Sequence, residues 1–158
     1  FVECGVWKGG SSMLIAMTLQ KFGVSDRMIW MYDTFEGMSE PGKEDMDVNG
    51  NMAFGIWKSK KVQEKSGWCV SSLHEVQLNM QSTEYPMEKI KLVEGMVEVT
   101  IPIYQPDLNI ALLRLDTDWY SSTKHELEFL FPMLVKGGIF IIDDYGHWLG
   151  SKKHLTNI

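Results

Sequence analysis

The feature that most constrains this chain is a series of five short apolar runs that carry or end on an acid and alternate with stretches of helical period. Phe1 to Val6 encloses Glu3 and Gly5. Met28 to Tyr32 leads to Asp33, and Ile90 to Val93 leads to Glu94-Gly95. Ile110 to Leu115 leads to Asp116, and Ile139 to Ile142 leads to Asp143-Asp144. Near-continuous runs rich in Ile, Val and Leu are what strands covered on both faces look like. Between them, Ser11 to Phe22 carries Leu14, Ile15, Leu19 and Phe22 at helical spacing, with Gly23 as a left-handed stop. Ser71 to Met80 repeats the pattern through Leu73, Val76 and Met80. Thr123-x-x-Glu126 reads as a capping box, followed by an apolar face of Leu127, Leu130, Phe131 and Leu134. Pro132 interrupts that helix, and Gly137-Gly138 is expected to end it before the last strand. Strand and helix alternating in this way predict an α/β fold: an open, mostly parallel sheet with helices on both faces. Residues 34–65 break the rhythm and read as an insertion, or lid, over the carboxyl edge.

The 158 residues suffice for one domain, taken as 1–158. Fifteen Lys and Arg against 21 Asp and Glu give a net charge of -6, which argues against nucleic acid as a partner. No apolar run is long enough to span a membrane, and the first residues lack the pattern of a signal peptide. Cys4 and Cys69 are the only cysteines and have no ligand-like spacing, which fits a reducing cytoplasmic setting.

In an open parallel sheet, ligands bind beyond the carboxyl ends of the strands, where these acids gather. Glu3-x-Gly5-Val6-Trp7-Lys8-Gly9-Gly10-Ser11 joins the first strand to the first helix through glycines, which permit a tight turn and close approach of a ligand. The glycine spacing is not that of the dinucleotide fingerprint, which disfavours a nicotinamide oxidoreductase. Asp33 is placed to accept ribose hydroxyls. Asp116-Thr117-Asp118 and Asp143-Asp144 end strands that are expected to be neighbours, and carboxylates so crowded repel unless a positive group lies between them. Their oxygens would select Mg²⁺, Ca²⁺ or Mn²⁺. A turn with no ligand and acids that merely face solvent are the alternatives at this level.

Four ordered motifs carry a resemblance. Val2 to Gly10 is similar to the "VE-x-GVW-x-GG" opening of the macrocin O-methyltransferase (TylF) family, and Asp33 to Gly37 to its "DSFEG". Leu115 to Thr123 resembles "LDGDLYESTxxAL", and Pro132 to Tyr145 resembles "PxLxxGGxxIxDDY". The resemblance implies a Rossmann-like class I methyltransferase fold, of which about five strands are visible here, so that the sheet is expected to be truncated at both ends. It implies S-adenosylmethionine and Mg²⁺ as cofactors and a small-molecule hydroxyl acceptor, a sugar or secondary metabolite. By position, Glu3, Gly5, Val6, Trp7, Gly9, Gly10 and Ser11 would hold the methionine end, Asp33 the ribose, and Glu94 with Gly95 the adenine. Asp116, Asp143 and Asp144 match the metal-binding acids.

The sulfonium methyl is already electrophilic, so the protein must orient it and help an oxygen lose its proton. Asp116 is one candidate base and His147 the other. The segment Gly95 to Pro102 departs from the family's "GWFKDTLP", which removes an aromatic and a lysine. Trp57, Trp68 and Trp119 are read either as ring-stacking platforms or as core. Competing readings are a related methyltransferase acting on a catechol-like hydroxyl, and a non-catalytic cofactor-binding or assembly module. An incomplete sheet edge makes a homo-oligomer a further expectation.

Overall fold

The computed structural model describes residues 1–63, 65–106 and 109–150. The polar stretch from 151 onward lies outside the described residues. Five strands form one sheet: β1 (Val2–Cys4), β2 (Ile29–Asp33), β5 (Ile90–Glu94), β6 (Ile110–Leu115) and β7 (Leu134–Ile142). Their order is β5-β2-β1-β6-β7, and every neighbouring pair is parallel.

Period-two alternation gives each face its own core. Val2 and Cys4 of β1 and Tyr32 of β2 point to one face, where helix α4 (Val97–Thr100) supplies Val97 and helix α5 (Tyr120–Phe129) supplies Leu127. Ile29 and Met31 of β2 point to the other, against Ala16 of helix α1 (Gly10–Lys21) and Val76 and Met80 of helix α3 (Leu73–Gln81). The expectation of a parallel sheet with helices on both faces therefore holds. Among the described residues, no helix is long and apolar enough to cross a membrane.

Three local readings are corrected. Helix α5 begins at Tyr120, so Thr123 lies inside it and the Thr123–Glu126 capping box does not form. Its first amide is capped from a distance: Tyr120 N–H donates to Asp45 Oδ1 at 2.7 Å. That carboxylate is anchored in turn by Gly42 N–H at 2.7 Å. Leu134 belongs to β7 and not to the helix. Gly137-Gly138 sits within that strand, at an irregularity where pairing jumps from Ile110↔Leu134 to Leu112↔Ile139. Gly137 has a φ of +82°, the left-handed conformation such a bulge needs.

The insertion after β2 has structure of its own. It contains helix α2 (Ala53–Ser59) and a two-stranded ribbon of β3 (Lys61–Val62) and β4 (Lys65–Ser66). Ala53, Trp119 and Trp148 form a third buried cluster that fastens it to the sheet's carboxyl edge. Trp119 donates its indole N–H to Ser39 O at 3.0 Å, and Trp57 donates to Met38 O at 2.9 Å. Trp57 and Trp119 are thus core, with the indole nitrogens satisfied.

Candidate active site

Strand order reverses at the β1/β6 pair, and a cleft of about 340 Å³ opens there at the carboxyl ends. Gly5 forms its floor. A Cβ at Gly5 would lie 2.1 Å from the Asp116 carbonyl oxygen, and its φ is +77°. The ends of β1 and β6 can touch only because this residue has no side chain. Asp116 N–H donates to Cys4 O at 2.8 Å and seals the contact.

One half of the cleft is built by β1, β2 and β5. Asp33 Oδ2 accepts from the amides of Val6 at 2.7 Å and Trp7 at 3.0 Å, and Oδ1 accepts from Phe35 N–H at 2.8 Å. The carboxylate therefore shapes the glycine-rich turn. The single hydroxyl proton of Thr34, 3.4 Å from Asp33 Oδ1, goes to the nearer Gly37 O at 2.6 Å, so Oδ1 keeps acceptor capacity beside the cleft that Asp33 lines. Opposite lies Gly95, with a φ of +133°, followed by Met96 and Val97. Trp7 stands at the mouth with 52% of its surface exposed.

Glu3 is 1% exposed and lies beneath this half. Its Oε2 accepts a short hydrogen bond from Ser12 Oγ of α1, and Oε1 accepts from Arg114 Nη1 at 2.7 Å. Burial raises its pKa despite these bonds.

The other half is acidic. Arg114, on β6, reaches Glu3 with one nitrogen, and with the other it bridges Asp116 Oδ2 at 2.9 Å and Asp143 Oδ2 more closely still. Burial lifts the Asp116 pKa to about 7, partly opposed by Arg114 and reinforced by Asp143. Burial, then Asp116 and Asp144, lift Asp118 to about 8. Asp118 adopts a φ of +67°, and its Oδ1 is buried without a hydrogen-bond partner.

Of the residues singled out from the sequence, Gly5, Trp7, Asp33, Gly95, Asp116, Asp143 and Asp144 line the cleft. Glu3 and Val6 are buried behind it. Gly9, Gly10 and Ser11 open α1 without lining the cleft, and Glu94 faces solvent. His147 is exposed, with its ring on Trp148 at 4.6 Å, and does not line the cleft. The turn from Asp143 to His147 carries it past the opening. Sequence reasoning gave no role to Arg114 and counted Asp118 only among the crowded acids. The signal for the first was a lone cation inside a buried apolar strand, which demands a counter-charge.

The donor chemistry of Asp116, Asp143 and Asp144 suits a hard divalent cation, but their arrangement does not. The Arg114 guanidinium occupies the space between Asp116 and Asp143, and among the described residues no three Asp, Glu, Cys or His side chains are grouped so as to hold a metal ion. The positive group that crowded carboxylates require is supplied here by the chain itself.

A family model described as macrocin O-methyltransferase (TylF) matches residues 1–157. A 4'-O-methyltransferase from Streptomyces olivaceus acting on 8-demethyl-8-(2,3-dimethoxy-alpha-L-rhamnosyl)-tetracenomycin-C is 35% identical over 144 residues, 91% of this chain and 52% of that protein. Demethyldecarbamoylnovobiocin O-methyltransferase from Streptomyces niveus is 31% identical over the same shares, 91% and 52%. The chain thus spans about half the length of the curated relatives it matches. Among solved structures, the O-methyltransferase NovP superposes with a TM-score of 0.80 at 28% identity, over 99% of this chain and 61% of that one. CalS11, a calicheamicin methyltransferase, superposes at 0.76 and 23% identity over 100% of this chain and 63% of that one, a likeness of fold.

Proposed function

The chain belongs to the macrocin O-methyltransferase (TylF) family, and from that premise we propose that it serves in transferring a methyl group from S-adenosylmethionine to a hydroxyl of a small molecule, a sugar of a secondary metabolite being the acceptor class. The observation that carries this reading is the division of one cleft into two chemically distinct halves at the β1/β6 switch point. The first half suits the cofactor. Gly5 permits close backbone approach, Asp33 Oδ1 accepts one ribose hydroxyl rather than two, and Gly95 with Met96 and Val97 provides a flat wall for a base. Glu3 acts from behind: it ties α1 to Arg114 and does not itself reach the cofactor.

The acidic half suits the acceptor. Methyl transfer needs the sulfonium methyl and the attacking oxygen in line, and a place for the hydroxyl proton. Asp118 Oδ1, buried and unpartnered beside the cleft, is the group best placed to take it once ionised, which a pKa of about 8 confines to mildly alkaline pH. Asp116 is held by Arg114 and lines the same wall, where it can accept a second acceptor hydroxyl. S-adenosylmethionine, when bound, supplies the electrophilic methyl. The Mg²⁺ implied by the resemblance does not fit the acids as they stand, since Arg114 lies between Asp116 and Asp143.

Mass spectrometry with rhamnosyl and catechol acceptors tests the reading. A gain of one CH2 unit on the rhamnoside, abolished by Asp118→Asn, is expected. Binding of S-adenosylhomocysteine without transfer to any acceptor would favour a non-catalytic module. No binding of either cofactor form would remove the proposal altogether.

A further inference from the structure

Glu126, on α5, is 0% exposed. Its Oε1 accepts the Thr117 hydroxyl at 2.9 Å, its Oε2 is buried with no hydrogen-bond partner, and the Cys4 thiol interacts with the same carboxyl. Burial holds its pKa well above the ordinary range, and the unpartnered oxygen carries a desolvation cost. Capping does not explain it, since α5 takes its cap from Asp45.

Thr117 is the residue between the two acids that matter most in the cleft, and the turn around it is under constraint. Trp119 N–H folds back to Thr117 O at 2.8 Å, and Asp118 is held at a φ of +67°. For a residue with a side chain that conformation is costly and persists only where surrounding contacts dictate it. Asp116 is fixed from one side by Cys4 O and Arg114, and Trp119 from the other by Ser39 O. Besides the Asp118–Asp144 side-chain contact, the Thr117 side chain is a further handle on the turn, and it is gripped by Glu126.

We propose that Glu126 is a positioning residue: through its hydrogen bond to Thr117 it locks the Asp116–Trp119 turn, so that the Asp116 and Asp118 carboxylates face the cleft together. The proposal deepens the methyltransferase reading and rests on it for its effect on turnover, but the geometry of the turn can be tested without it.

The experiment combines hydrogen–deuterium exchange of the turn with kinetics for Glu126→Ala, Glu126→Gln, Thr117→Ala and the double variant Thr117→Ala/Glu126→Ala. Glu126→Ala is expected to speed exchange of the Trp119 amide by roughly tenfold, the scale of one lost hydrogen bond. Turnover on the rhamnosyl acceptor should fall by a similar factor with KM for S-adenosylmethionine unchanged. Glu126→Gln keeps an acceptor for Thr117 and should restore both. The double variant should be no worse than either single one, since both remove the same bond. Wild-type exchange in Glu126→Ala, failure of Gln to rescue a folded protein, or additive losses in the double variant would each overturn the proposal. If wild-type protein methylates no acceptor, the loss falls on the functional reading and the exchange arm still decides this one. Should Glu126→Ala not fold, Thr117→Ala and Glu126→Gln carry the same comparison.

Discussion

Replacing Arg114 by methionine, which keeps most of the side chain's bulk and removes its charge, isolates the counter-charge of the acidic half. Three carboxylates lose their partner, but unequally. Asp143 and Asp116 have 46% and 29% of their side-chain surface exposed and can be rehydrated, whereas Glu3 is 1% exposed and cannot. Glu3 retains only the hydroxyls of α1, so in the variant it escapes the burial cost by taking up a proton. Holding it protonated at pH 7, against an ordinary value of 4.5, costs about 3.4 kcal/mol at about 1.36 kcal/mol per pH unit. That sets the upper bound, and it lies within the range of about 3–5 kcal/mol for breaking a buried ion pair. The sign follows from linkage. A group whose pKa is raised in the folded state contributes stability below its unfolded value, and that contribution is lost as pH rises toward the folded value. Arg114→Met should therefore be destabilised by about 2–3 kcal/mol at pH 7 and by much less at pH 5. Urea denaturation followed by tryptophan fluorescence at the two pH values reads this directly. A loss below about 1 kcal/mol at pH 7, or one independent of pH, would refute the view that Arg114 is the counter-charge of a buried Glu3.

Other consequences are open to measurement. Gly5→Ala drives a Cβ into the Asp116 carbonyl and demands a left-handed alanine, so destabilisation of at least about 2 kcal/mol and loss of S-adenosylhomocysteine binding in calorimetry are expected. Trp148→Ala removes a ring 5.2 Å from Trp119, at a cost of about 3–5 kcal/mol felt mainly by the insertion, and limited proteolysis should then cut within residues 40–66 before the sheet. Because burial raises the Glu126 pKa in the folded state, stability is lost as pH rises above its ordinary value of 4.5. Glu126→Gln should flatten that decline in urea titrations between pH 5 and 8 while matching wild type near pH 4.5. The cofactor half is built without Asp116, Asp143 or Asp144, so added EDTA should leave S-adenosylhomocysteine affinity unchanged within about twofold.

The strands were legible because each carries an apolar run; β1 and β2, inside the sheet, have no exposed residue, whereas the edge strand β7 keeps such a run even though Ile139 and Ile141 are exposed. Their ends were legible for the same reason, since the run stops where the chain reaches the cleft. The start of α5 was not. Its cap is Asp45, 75 residues away, and Thr123 with Glu126 offered a local pattern that the tertiary contact displaced. Gly137-Gly138 signalled a break correctly, but whether it ends a helix or bulges a strand depends on pairing with β6. Trp57 and Trp119 could not be told from ring-stacking platforms until their indole nitrogens were seen to donate to backbone carbonyls, nor Trp68 until its ring was seen against Trp119 and Trp148.

Sequence by itself determined the alternation of elements, the glycine turn after β1, and the gathering of acids at the carboxyl edge, because these follow from local periodicity and from the direction of parallel strands. Only the tertiary structure decided what those acids do. Arg114 and Asp116 are two residues apart at the carboxyl end of β6, yet Glu3 and Asp143 reach the same guanidinium from β1 and from the end of β7. Electrostatic partnership depends on distance and burial, and neither is written in the spacing of residues along the chain.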